Sequence, residues 1–175
     1  MIGKFLLCAA SALLLVSGPA SSQQATGPND AQIAHIAYTA GQLDVDAGRQ
    51  ALAKSHNKAV RSFAQTMVRD HSAVNDQALA LVKRLGVTPQ DNATSEALTK
   101  QAREKARELS KLSGRSFDRA YVQNEVAFHR TVNGALKTTL IPGAHNAELK
   151  SLLETGLTLF EEHQKRAEQL EPKLG

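Results

Sequence analysis

One cysteine, two methionines and no tryptophan occur in 175 residues, and aromatic side chains make up only 4% of the chain. The cysteine, Cys8, lies inside an N-terminal apolar run. Once that run is removed no disulfide is possible, and packing alone must hold the fold. Leu7 is too bulky for the small residue expected before a lipid-bearing cysteine. Basic residues are interspersed with acidic ones and few aromatics accompany them, so the chain lacks the cationic, stacking surface of a nucleic-acid binder. There is no second long apolar segment, no strand-like alternation and no long internal repeat. A Gly-rich phosphate loop, a cysteine cluster and a nucleophile beside a base are also missing, so the reading leans away from an enzyme.

The N-terminus reads as a targeting segment. Lys4 is the only charge ahead of an apolar run over residues 5–16, and Ala20, Ser21 and Ser22 supply the small residues that a signal peptidase needs. The apolar core is about a dozen residues, too short to span a bilayer of ~30 Å. Residues 1–22 are therefore expected to be a signal peptide cleaved after Ser22, which places the protein in the periplasm. Residues 23–28 are a polar, flexible leader, and residues 29–171 form one domain with one core. Loss of Lys4 lowers the formal charge from +4 to about +3.

Apolar residues at three- and four-residue spacing predict long amphipathic helices. The first, over residues 29–54, opens on an Asn29–Gln32 capping box. It carries Ile33, Ile36, Ala37, Ala40, Leu43, Ala47 and Ala51 on one stripe, with Asp44 and Gly48 bordering or sharing it. Small residues dominate, which permits close approach to a neighbour. The three-residue turn at Ser55, His56 and Asn57 makes the second helix, residues 57–86, its antiparallel partner. Gly86 is a natural helix stop. After a connection over residues 87–94, a charged third helix over residues 95–112 is thin in apolar content and expected on the outside. Gly114 is expected to end it and Ser116 to cap the fourth helix, residues 117–140, stopped by Pro142 and Gly143. A fifth spans residues 146–171. The fold class is an all-α four-helix bundle with an additional short helix.

Six histidines occur. His56 sits in a turn and His145 at a helix start, and both read as surface or capping residues; His35, next to Ile36 near the start of the first helix, is a marginal case. His71, His129 and His163 differ, because each falls on or beside the apolar stripe of a separate helix. Asp44 and Glu125 face inward with them. Burying several ionisable groups is costly unless they pair or bind a metal, and bundles place such ligands on facing helices. At ~1.5 Å per residue from the turns, the five residues fall in one layer or two adjacent ones. Imidazole and carboxylate without thiolate suit zinc, copper(II), iron, nickel or cobalt. The Glu-x-x-His pairs of di-iron bundles are absent, since Val68, Val126 and Phe160 stand three residues before the histidines. Asp70 points about 100° away from His71 around its helix and is expected to pair with a cation outside rather than to orient that ring.

The run Phe63, Ala64, Met67, Val68, Asp70, His71 and Asn75, then Phe117, Asp118, Tyr121, Val126 and His129, and finally Phe160 and His163, resembles the exported bacterial family DUF4142, a domain of unknown function placed with the ferritin-like bundles. The resemblance covers about residues 30–170. It implies the fold, the export, and histidine positions at His71, His129 and His163, with Asp44 standing where the family's first helix usually has the longer Glu. The expectation is one transition metal ion (zinc, copper or iron) held by His71, His129 and His163 with Glu125 and Asp44 as further ligands or orienting groups, in a metal-handling or envelope-stress role. The alternative is a metal-free structural or interaction module with an envelope protein partner.

Overall fold

The computed structural model describes residues 27–174. The expected signal peptide, its cleavage point and residues 23–26 of the leader lie outside them. The described residues are helical and contain no strand. In order they are α1 (Asp30–Lys54), α2 (Lys58–Arg84), α3 (Ala93–Ser110) and α4 (Gly114–Ala135), then a π turn (Leu136–Leu140), the short α5 (Ile141–Gly143), α6 (Ala147–Leu170) and a 3-10 turn (Glu171–Leu174). Among the described residues no helix is long and apolar enough to cross a membrane.

The local chemistry sets most boundaries. The Asn29–Gln32 capping box is formed in both directions, at 3.0 and 3.1 Å. Asn57 stands just outside α2 and accepts from the backbone of Ala59 and Val60, so the helix opens one residue later than expected. Gly86 adopts φ +65°, as a helix stop requires. Two starts differ from expectation by more than one residue. Asn92 forms a second capping box with Ser95, which begins α3 at Ala93. Gly114 opens α4 instead of merely closing α3; its φ of +53° turns the chain so tightly that only Lys111, Leu112 and Ser113 separate the two helices.

α1 and α2 form one antiparallel hairpin, α4 and α6 another, and contacts of α1 with α4 and of α2 with α6 close the bundle. α3 is the crossover between the hairpins. It lies along α1, held by Gln50 to the carbonyl of Ala106 at 3.0 Å and Lys54 to that of Ser110 at 2.8 Å. Two hairpins joined by one long crossover is the ferritin-like arrangement. α3 buries only Ser95 and Leu109, in keeping with its place outside the four-helix core.

The centre of the α1 stripe differs from the sequence reading. Gly41, Asp44, Val45 and Gly48 are buried, whereas Leu43 and Ala47 are half-buried. α1 faces α2 through its smallest residues: a Cβ on Gly48 would come within 2.9 Å of Val68 Cγ2. The inward face is therefore the one that permits the closest backbone approach, and it carries Asp44 into the core.

The apolar core falls into two clusters. Phe63, Met67, Phe117, Tyr121 and Leu170 belong to one, at the end where α2 begins. Ile33, Leu81, Leu140, Leu153 and Phe160 belong to the other, at the end where α1 begins. Asp44, His71, Glu125, His129 and His163 lie between, each at most 3% exposed.

Candidate metal centre

Each of the four long helices contributes to this polar layer: Asp44 from α1, His71 from α2, Glu125 and His129 from α4, and His163 from α6. The three imidazole rings have centroids 5.2, 5.5 and 5.6 Å apart. Within the trio His71, His129 and His163, one ligand atom per residue lies within 4.8 Å of the others; the same holds for Asp44, Glu125 and His129. Of the two depths that counting allowed, the structure has a single layer. His71 stacks on Phe160 at 4.5 Å, which fixes its ring plane from below.

The hydrogen bonds decide which nitrogens are free. Nδ1 of His129 donates to the backbone carbonyl of Glu125 at 3.0 Å, so in the neutral ring Nε2 carries a lone pair. That Nε2 lies 3.3 Å from Asp44 Oδ2, and His71 Nε2 lies 3.1 Å from the same oxygen. Neither approach has hydrogen-bond alignment, and both nitrogens and both Asp44 oxygens are buried without a partner in the protein. Nε2 of His163 donates to Asp70 Oδ2 at 3.0 Å, which leaves its buried Nδ1 without a partner. Bare nitrogens and oxygens thus converge from separate helices, an arrangement that is costly unless a cation or proton joins them.

Electrostatics favour the neutral form of His71 and His163. Burial pulls His71 below its ordinary range, against the raising effect of Asp44. Burial likewise pulls His163 down to about 4, although the Asp70 bond opposes it. Neutral imidazole is the form that binds metals. Burial, reinforced by the negative charge of Asp44, pushes Glu125 well above the usual carboxylate range. Tyr121 Oη, one turn before Glu125, is also buried and raised by burial and by the two acids.

Two cavities reach the layer. One, about 310 Å³, runs through the core on the α1-start side and touches Asp44, His71 and His129. The other, about 400 Å³, lies beneath α3 and touches Asp44 and Glu125.

The structure thus brings all five expected residues together, and His56 and His145 remain outside. His35 pairs with Asp91 at 2.9 Å in the connection before α3. Asp70 pairs with Arg69 on the outside at 2.6 Å, as expected, and does not orient His71. It does orient His163 across the α2–α6 seam, a role that counting around one helix could not show. Asn75 and Tyr121 likewise carry unpartnered buried polar atoms at the site's margins; the polar residue one turn beyond His71 on the same face was the available signal for Asn75.

Residues 16–170 match the family described as domain of unknown function DUF4142. No curated protein matches the chain. A crystal structure of a DUF305 protein from Streptomyces coelicolor, whose description calls it secreted, is similar with a TM-score of 0.70 at 12% identity, over 82% of this chain and 92% of that one. At that identity the likeness concerns the fold.

Proposed function

The chain belongs to the DUF4142 family, and from that premise we propose that it is an exported, periplasmic helical bundle that binds one transition metal ion in its core and serves metal handling in the cell envelope. The observation that carries this reading is the convergence of His71, His129 and His163 with their ligand atoms within 4.8 Å, in a layer where the remaining ring nitrogens are bare or already spoken for. His71 and His129 would bind through Nε2, and His163 through Nδ1, because Asp70 occupies its other nitrogen. Asp44 and Glu125 would be the carboxylates nearest the ion, either binding it or orienting the rings. An ion there would supply Lewis acidity. The protein residues would hold it away from bulk water and keep His71 and His163 in the neutral form that binds metal.

Export is supported by the N-terminal sequence pattern and by the secreted description of the DUF305 neighbour. Zinc, copper or iron fits the donor set. Metal analysis of untagged protein prepared without chelator tests the reading: about one ion per chain is expected. No metal, together with no thermal shift on adding Zn²⁺, Cu²⁺ or Fe²⁺, overturns it.

A second reading is favoured by Glu125, whose carboxyl is pushed well above its ordinary range by burial and by Asp44 beside it. A carboxyl that keeps its proton can share it with its neighbour, so the layer could hold itself together without a metal and the bundle would act as a structural or interaction module. Under that reading the metal shift is absent and an envelope partner is captured.

A further inference from the structure

The core between the polar layer and the α1-start end holds a cavity of about 310 Å³ lined by Ala40, Gly41, Val74, Leu136, Leu153 and Phe160 among others. It exists for two reasons. α1 presents Ala34, Ala37, Ala40 and Gly41 where α6 presents Leu149, Leu153 and Phe160, so one wall is hollow. Opposite, α4 widens into the π turn at Leu136–Leu140, an element common at functional sites. A hollow of small residues is by itself no site. This one also contains Asn75, 6% exposed, whose Nδ2 donor makes no hydrogen bond. A Cβ on Gly41 would meet Asn75 Oδ1 at 2.3 Å, so glycine is what lets the amide into the seam. His71, with its bare nitrogens, and Asp44, with both oxygens bare, line the same cavity.

We infer that this chamber binds a small, uncharged, apolar molecule bearing one hydroxyl, lodged with the hydroxyl against Asn75 and the polar layer and its apolar body among Leu136, Leu153 and Phe160. The hydroxyl oxygen accepts from Asn75 Nδ2, and its proton goes to Asp44 or to a bare nitrogen of His71. An anion is disfavoured by the Asp44 carboxyl at the head, and a cation by the apolar walls that would strip its water. At about 30 Å³ per water-sized group, the chamber accommodates roughly ten non-hydrogen atoms, the size of a propylphenol. The binding requires no metal in the three-histidine centre.

The test titrates the mature protein, in EDTA, with 4-propylphenol and with propylbenzene, which differ by the hydroxyl alone. The expected result is saturable binding of one 4-propylphenol per chain, about tenfold tighter than propylbenzene, the ratio that one good hydrogen bond supplies. Asn75→Leu is expected to reduce the preference by severalfold, leaving only what the hydroxyl's own donation supplies, while still binding propylbenzene. Intermolecular NMR contacts from the ligand to the methyls of Leu136 and Leu153 are expected in the unsubstituted protein, which avoids reliance on any variant's folding. Absence of saturable binding, equal affinity for both compounds, an undiminished preference in folded Asn75→Leu, or contacts elsewhere each overturns the inference. Because EDTA is present throughout, failure here leaves the metal reading standing, and failure of the metal reading leaves this one standing.

Discussion

Asp70 and His163 meet across the α2–α6 seam at 3.0 Å, and the other carboxyl oxygen of Asp70 is held by Arg69 at 2.6 Å. A carboxylate anchored from outside thus fixes the tautomer and angle of a buried imidazole. Carboxylates behind metal-binding histidines tune affinity by roughly 10–100-fold. Asp70→Asn is therefore expected to weaken metal binding by about that factor, read by chelator competition, with little change in fold. Unchanged affinity would mean that the pair only ties α2 to α6.

His71→Leu separates ligand from scaffold. Both ring nitrogens of His71 are buried and bare, so replacing it with an apolar side chain is expected to leave the metal-free protein as stable as before, or up to ~1 kcal/mol more stable. The rise in Tm on adding metal to the unsubstituted protein is expected to vanish in the variant. Loss of more than about 2 kcal/mol from the metal-free protein would assign the ring a structural role.

Stability of the metal-free protein is expected to fall as pH drops from about 6.5 toward 4. His163 is held down to about 4 in the fold but takes up its proton near 6.5 when unfolded, and burial lowers His71 in the same direction. Across that window the unfolded chain binds more protons, so acid favours unfolding. His163 alone accounts for roughly 2–3 kcal/mol. Glu125 acts with the opposite sign: its raised folded pKa gives a contribution that is full below 4.5 and lost as pH rises. Between 4.5 and 6.5 two rings oppose one carboxyl, and the expected net sign is that of the rings. Denaturant midpoints that stay flat or rise from pH 6.5 to 5 would contradict this balance.

Gly48→Ala tests the close approach of α1 to α2. The added Cβ would sit 2.9 Å from Val68 Cγ2 and 3.2 Å from the backbone carbonyl of Ala64. Overpacking costs ~1–3 kcal/mol, offset by the ~1 kcal/mol by which alanine is the better helix former. A net loss of about 1 kcal/mol in a urea melt is expected; a gain would mean that the helices separate easily.

The sequence made the four long helices and the three inward histidines readable because each repeats at helical spacing against polar neighbours. The centre of the α1 stripe was harder to read, since Gly41 and Gly48 mark a buried face by their smallness rather than by apolar bulk. The start of α4 was missed because a glycine with φ +53° can both close one helix and open the next. The π turn at Leu136–Leu140 leaves no local signal, as it depends on how α4 accommodates its neighbours. The Asp70–His163 pair joins residues 93 apart, and only the packing of α2 on α6 reveals it.

The most direct measurement is anomalous diffraction, at the metal's absorption edge, from crystals of the mature protein soaked with Zn²⁺ or Cu²⁺. The account predicts one strong peak at bonding distance, ~2.0–2.1 Å, from ring nitrogens of His71, His129 and His163. Peaks confined to surface residues such as His56 or His145, with the buried rings bare, would contradict it.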